Sequence, residues 1–155
     1  MTGDLFATLA RIADPKTPIE RACGLCCGLI PNDLFTVMRF HEGTMEVERL
    51  YSTLPEAYPV RGRKPKRETE WGEKVLVQRQ INLGSGKEAI CWAFADHETI
   101  LALDLTEVLN VPVVRGLRVL GTVNFLRKAP AFNEEDTTLA QVVAATFAKR
   151  NAEMA

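Results

Sequence analysis

The sequence lacks the features of membrane-spanning and secreted proteins. No apolar run approaches the roughly 20 residues that a membrane-spanning helix needs. The N-terminus carries an acid, Asp4, and a short amphipathic stretch, which is not the pattern of a secretory signal peptide. We therefore expect a cytoplasmic protein that does not bind membranes, in which the four cysteines are reduced.

The chain also lacks an imbalance of charge. Its 155 residues are 25% charged and carry a net charge of −1. Such a balance provides no global electrostatic reason to bind nucleic acid or an anionic surface. A chain of this length, 46% hydrophobic, can bury roughly 70% of its unfolded surface in one core. We expect a single domain over residues 1–155, with an N-terminal helix in 1–15 and the domain core in 16–155.

Residues suited to metal or nucleophilic chemistry are scarce. The two histidines, His41 and His97, have neither the spacing nor a partner for a metal site or a catalytic triad. Cys23 and Cys26 have the spacing of a zinc-binding pair, but a zinc site needs four ligands, and the next candidate beyond Cys27 is His41. Both cysteines fall on the apolar face of a predicted helix, which favours a packing role.

A phosphate-binding loop is missing as well. The one glycine-rich segment, Gly84-Ser85-Gly86, lacks the lysine and the following helix start that phosphate chemistry requires. The sequence therefore predicts no catalytic residue, no metal and no cofactor, and we expect a protein that is not an enzyme.

Amphipathic helices are predicted at both ends of the chain. Residues 3–13 place Leu5, Phe6, Leu9 and Ile12 at helical spacing. A second helix starts near Pro18, with Thr17 and Glu20 as a capping box. The last helix, opened by 132–136, has an apolar stripe that comprises Leu139, Val142, Val143, Thr146, Phe147 and Arg150.

Strands fill the space between the terminal helices. Residues 34–41 and 45–51 form one predicted hairpin, and 108–114 and 117–126 form another, with a turn at Arg115-Gly116. A long basic connection, 52–67, follows the first hairpin. Consecutive hairpins with helices at both ends predict an α+β domain with an antiparallel sheet.

The second hairpin and the segment after it contain a pattern of three short motifs, Leu109-Asn110-Val111-Pro112-Val113, Leu120-Gly121-Thr122-Val123-Asn124 and Phe132-Asn133-Glu134-Glu135-Asp136. With Tyr58-Pro59 and Gly62-Arg63-Lys64 in the long connection, this pattern resembles the GAF domain family. This GAF-like resemblance implies terminal helices on one face of the sheet, a loop-roofed ligand pocket on the other, and a homodimer. The PAS fold fits the order of elements less well.

The basic run 61–67 has two interpretations. Such a run is commonly a solvated loop. Alternatively, Arg63 or Lys64 closes over a carboxylate or phosphate in the pocket. Apolar walls with a polar edge are then expected from four aromatic residues, Tyr51, Tyr58, Trp71 and Trp92.

Cys91 lies beside Trp92 in the expected pocket roof. GAF domains of the methionine sulfoxide reductase type use several pocket cysteines, and bilin-binding GAF domains often have a histidine after the attachment cysteine. This chain has one cysteine there, followed by Trp92. We expect a packed thiol that lines the pocket, with a redox enzyme as the alternative function.

Two asparagines lie inside the apolar strands of the second hairpin. With a two-residue turn, Asn110 shares a sheet face with Gly121 and Val123, and Asn124 lies on the opposite face. A three-residue turn would reverse the assignment. Because Gly121 leaves room for a ligand, we expect Asn110 to line the pocket.

Together these patterns predict a sensory or regulatory domain that acts in signal transduction. Its partner would be an anionic or aromatic small molecule, and ligand binding would change the packing of the terminal helices, within a homodimer or against another chain. The alternatives are the redox enzyme and a structural dimerisation module whose pocket is filled by its own side chains.

Overall fold

Within residues 2–150, terminal helices flank six strands and three short helices. The structure, a computed structural model, describes residues 2–150. The helices are α1 (Thr2–Ala13), α2 (Ile19–Cys27), a π-helix (Gly72–Val77), α3 (Lys87–Ala93), α4 (His97–Ala102) and α5 (Glu134–Phe147). The strands are β1 (Leu34–His41), β2 (Glu46–Ser52), β3 (Arg63–Pro65), β4 (Asn82–Ser85), β5 (Glu107–Arg115) and β6 (Arg118–Arg127).

The strands form one antiparallel sheet in the order β3-β2-β1-β6-β5-β4. Its centre is the pair of hairpins predicted from the sequence. The α+β class is confirmed. No helix among residues 2–150 is long and apolar enough to cross a membrane.

The terminal helices α1, α2 and α5 pack on one face of the sheet, as predicted. This helix-side core contains the largest fully buried aromatic rings of the protein, Phe35, Phe125 and Phe147. Asn133 and Asp136 form a capping box that starts α5, because each side chain accepts a hydrogen bond from the other residue's backbone N–H. The predicted stripe of α5 is wrong at Val142, which is exposed.

The linker between α1 and α2 is held by a contact that local sequence does not indicate. Arg150, which is buried, donates hydrogen bonds to the carbonyl oxygens of Ile12, Asp14 and Thr17. Thr17 does not cap α2 as predicted; Pro18 holds the cap position without a side-chain bond.

A β-bulge in the second hairpin overturns the assignment of the two asparagines. The turn has two residues and begins at Gly116, which has a φ of 65° and so uses glycine's conformational freedom. The register then shifts between Val113 and Val114, so that Asn110 lies directly opposite Asn124. The prediction that these two side chains lie on opposite faces was wrong, because the inserted residue changes the parity.

Candidate ligand pocket

A pocket lies on the sheet face opposite the terminal helices. Its floor comes from alternate residues of β1 and from the last part of β6, while the connections after β2 and α3 cover it. The free volume at its centre is about 30 Å³. The lining residues are Leu34, Thr36, Met38, Arg49, Tyr58, Lys64, Lys66, Trp71, Phe94, Asp96, Ile100 and Leu126.

The lining is rich in positive charge. Three of its residues are cationic, Arg49, Lys64 and Lys66, and one is a carboxylate, Asp96. Asp96 forms an ion pair with Lys64, the most exposed of the three cations, because Oδ2 of Asp96 lies 2.9 Å from Nζ of Lys64. The other two are only 8% exposed and form no ion pair among the described residues. Buried charges are normally paired, so this pocket has a local deficit of negative charge.

Arg49 and Tyr58 form a unit with two unused donors. Nη1 of Arg49 donates to the carbonyl oxygen of Pro59 at 3.0 Å, and its guanidinium lies 5.1 Å from the centre of the Tyr58 ring. Nε of Arg49 and the hydroxyl of Tyr58 are buried without a hydrogen-bond partner among the described residues. Burial, with a smaller contribution from Asp96, raises the pKa of Tyr58 to about 12, so the hydroxyl keeps its proton. Burial also lowers the pKa of Arg49.

Lys66 lies over an aromatic ring. Its Nζ is 4.9 Å from the centre of the Trp71 ring. Burial, reinforced by the charges of Lys64 and Arg49 and opposed by Asp96, lowers the pKa of Lys66 to about 8. The backbone of this residue is held on both sides, since its N–H donates to Met45 and its carbonyl accepts from the Thr69 hydroxyl at 2.7 Å.

Close backbone contact places the π-helix against Lys66. A Cβ added at Gly72 would lie 2.4 Å from the carbonyl oxygen of Lys66 and 2.8 Å from Oγ1 of Thr69. Neither distance is sterically possible without movement. Glycine at this position therefore allows Trp71, the residue before it, to reach the pocket.

A chain of buried side-chain amides connects Trp71 to the pocket floor. Nε1 of Trp71 donates to Oδ1 of Asn110 at 3.0 Å, Nδ2 of Asn110 donates to Asn124 at 2.8 Å, and Asn124 donates to the Thr36 hydroxyl at 3.2 Å. Asn82 donates to the same oxygen of Asn110 at 3.0 Å. We predicted that Asn110 lines the pocket. The structure places Asn110 behind the pocket wall instead, where it orients Trp71.

Of the predicted ligand-binding residues, the structure brings Tyr58, Lys64 and Trp71 together in the pocket. Tyr51 is on the helix side, with its ring centre 6.1 Å from that of Phe35. Successive side chains of β3 point to opposite faces of the sheet, so Arg63 points away from the pocket that Lys64 lines. The Arg63 guanidinium lies 3.7 Å from the Glu46 carboxylate.

Cys91 and Trp92 lie outside the pocket. On α3, Ile90 and Ala93 are three residues apart and face the core, so the two residues between them face outward. Cys91 is exposed, and the expectation of a packed thiol was wrong. Trp92 is 40% exposed, and its Nε1 donates to Glu70.

Sequence reasoning missed Arg49, Lys66, Asp96 and Thr36. A usable signal existed for Lys66, because an extended segment places residues 64 and 66 on the same side. For Arg49 the sequence contained no such signal. The pairing of β1 with β2 shifts between Val37 and Met38, and this shift decides which face of the sheet Arg49 occupies.

Comparison with known proteins identifies the fold. No family model matches the chain, and no curated protein matches it significantly. Solved structures do match. The GAF domain of an Acinetobacter phosphoenolpyruvate-protein phosphotransferase is 17% identical, with a TM-score of 0.72 over 99% of this chain and 95% of that one. The GAF domain of the Coxiella burnetii phosphoenolpyruvate-protein phosphotransferase is 16% identical, with a TM-score of 0.75 over 96% and 92%.

A third similar structure is the phycocyanobilin-bound GAF domain of a cyanobacterial phytochrome. It is 12% identical, with a TM-score of 0.74 over 96% of this chain and 93% of that one. The protein therefore has the GAF fold, as its resemblance in sequence implied. Sequence identities this low support a shared fold but do not indicate the ligand, which has to be inferred from the residues of the pocket.

Proposed function

We propose that this protein is a non-enzymatic sensory or regulatory domain that binds a small anion in the pocket. The observation that carries this proposal is the pair of buried cations, Arg49 and Lys66, that have no carboxylate partner among the described residues. A carboxylate or phosphate would supply the missing charge. Its oxygens would also accept from the unused Nε of Arg49 and hydroxyl of Tyr58.

The effect of ligand binding would be transmitted beyond the pocket through Asp96 and β1. Asp96 immediately precedes α4 and is ion-paired with Lys64 of β3. An incoming anion would compete with Asp96 for Lys64 and loosen the attachment of α4. Through β1, which contributes Thr36 to the pocket and Phe35 to the helix-side core, the same event would reach the terminal helices.

Calorimetric titration with acetate and with inorganic phosphate tests the proposal. We expect binding of at least one of them and a loss of about 10- to 100-fold in affinity for Arg49→Met, the range that a charged hydrogen bond contributes. The matched control is Arg61→Met, because this nearby arginine is exposed. Native mass spectrometry of the purified protein would identify a co-purified ligand. Equal affinities for the two variants, or no binding of any anion to the wild type, would contradict the proposal.

Self-association through α1 is a second, separate proposal. Ile12 of the predicted stripe is used in the protein's own core, but Phe6 is 65% exposed, and Leu5 before it lines a groove with Leu139, Val142 and the polar residues Glu134, Glu135 and Thr138. An exposed aromatic ring next to such a groove supports an interface. Sedimentation of Phe6→Glu against wild type is the appropriate test, since deletion of α1 would also remove core residue Ile12. A wild-type monomer, or a variant that remains dimeric, would contradict this interface.

A further inference from the structure

Lys66 combines three features that are rare in a lysine. It lines the pocket, it is buried, and among the described residues its amine has no hydrogen bond or ion pair and lies 4.9 Å from the centre of the Trp71 ring. The charged groups near it are Lys64, Arg49 and Asp96. Two of these are cations, and Asp96 is already ion-paired with Lys64. The site thus disfavours the ammonium form and exposes the amine to whatever enters.

An amine in such a site is a nucleophile. With a pKa of about 8, roughly a tenth of Lys66 is neutral at pH 7, far more than of an ordinary lysine. Desolvation beside other cations is the recognised way in which proteins activate a lysine toward carbonyl carbon. Lys64 lacks this property, because its amine is paired with a carboxylate.

The rest of the pocket restricts the class of carbonyl compound. Arg49 and Tyr58 offer unused donors for a carboxylate. The free volume of about 30 Å³ holds roughly two water molecules, which restricts a ligand to a handful of non-hydrogen atoms unless the roof opens. Small oxo acids are among the smallest compounds that have both groups, and with five or six non-hydrogen atoms they require the roof to move outward.

We propose that Lys66 captures a small oxo acid, such as glyoxylate or pyruvate, as a reversible imine, with the ligand carboxylate bound by Arg49 and Tyr58. This inference rests on the proposed anion-binding function and names the ligand class. The nitrogen lone pair of Lys66 attacks the carbonyl carbon, and the carbonyl electron pair moves to oxygen, which takes one proton from the attacking nitrogen. The resulting carbinolamine loses its hydroxyl as water, with the second proton supplied by the former amine. The net reaction joins amine and carbonyl to give imine and water, and no electron is gained or lost.

The amine is also held in place for this reaction. The backbone of Lys66 is fixed by hydrogen bonds to Met45 and Thr69, and Trp71 is fixed by Asn110. The side chain therefore starts from one defined point beside the cavity and has little freedom to swing into bulk solvent.

Reductive trapping tests the inference on the full-length protein. The protein is incubated with glyoxylate or pyruvate and sodium cyanoborohydride, digested, and mapped by mass spectrometry. We expect one reduced adduct, on Lys66, that is at least tenfold more abundant than the adduct on any other lysine. Labelling should increase between pH 6 and 8 and decrease when acetate, which has no reactive carbonyl, competes for the pocket. Lys66→Arg should abolish the main adduct, whereas Lys87→Arg, at an exposed lysine outside the pocket, should retain it.

The outcomes separate this inference from the proposed function. Adducts spread over exposed lysines, or none on Lys66, would overturn the imine even if Lys66→Arg did not fold, because the wild-type peptide map decides the point alone. If acetate or phosphate still binds in that case, the anion-binding function stands and only the imine fails. If no anion binds either, both fail.

Discussion

Three consecutive residues of β1 point alternately to the two faces of the sheet. Phe35 and Val37 are fully buried and pack under the terminal helices, while Thr36 between them lines the pocket. The helix side is almost entirely apolar. The pocket side contains buried amides and hydroxyls together with Arg49 and Lys66. Apolar burial stabilises the fold, and unpaired buried charge opposes it. Both faces have buried apolar clusters, but the pocket face adds cations without a carboxylate partner, which makes it the face suited to binding.

The largest effect should follow damage to the helix side. Phe147→Ala removes a fully buried ring of α5, and such truncations cost about 3–5 kcal/mol. Urea denaturation should show a sharp fall in the midpoint. Gln141→Ala, at an exposed position of the same helix, is the control and should change stability by less than about 0.5 kcal/mol. Equal midpoints would mean that α5 does not contribute to the core.

A change on the pocket side should have the opposite sign. Lys66→Met removes a buried, unpaired charge and should stabilise the unliganded protein at pH 7 by something on the order of 3 kcal/mol, because the pKa of Lys66 is lowered from 10.5 to about 8. The unfolded chain binds more protons between these two pH values, so the wild-type stability should rise with pH through that window relative to the variant.

Denaturation of both proteins from pH 7 to 10 measures this difference. The comparison with Lys66→Met is necessary because Cys26, whose pKa burial raises to about 12, has a pH dependence of opposite sign above pH 9. A constant stability difference between wild type and variant would contradict the assigned pKa. In the wild type, anion affinity should fall as pH rises above about 8, because Lys66 then loses its charge.

Disturbing the contact that positions Lys66 should lower both the stability of the fold and its affinity for anions. Gly72→Ala places a Cβ 2.4 Å from the carbonyl oxygen of Lys66, and overpacking of this kind costs about 1–3 kcal/mol. Since Lys66 and Trp71 must move, anion affinity should fall as well. Gly43→Ala is the matched control, because an added Cβ there meets no atom within 4 Å. A variant with wild-type stability and affinity would show that this close approach is dispensable.

The smallest effect should come from Arg63. Its side chain is 44% exposed and has only a long ion pair to Glu46, so Arg63→Ala should change stability by less than about 0.5 kcal/mol. Anion affinity should also stay unchanged, whereas Lys64→Ala on the other side of β3 should weaken it. A loss of affinity with Arg63→Ala would support the earlier interpretation that Arg63 closes over the ligand.

Local patterns in the sequence determined the elements of this fold. The β-forming residues of β1, the alternation in β2, the glycine at the second hairpin and the helical stripe around Phe147 depend on short-range backbone and burial preferences, and the structure shows the corresponding elements. Tyr58, Lys64 and Trp71 were selected for the chemistry of their side chains, and they do lie in one pocket.

Only the tertiary structure decided which other side chains join them. One extra residue in β6, Leu120, moved Asn124 onto the face of Asn110, and a shift beside Met38 set the partner of Arg49. A one-residue change of register turns every later side chain to the other face of a sheet, and strand pairing between distant segments sets it. The lowered pKa of Lys66 has the same origin, because burial and neighbouring charge depend on which segments pack together.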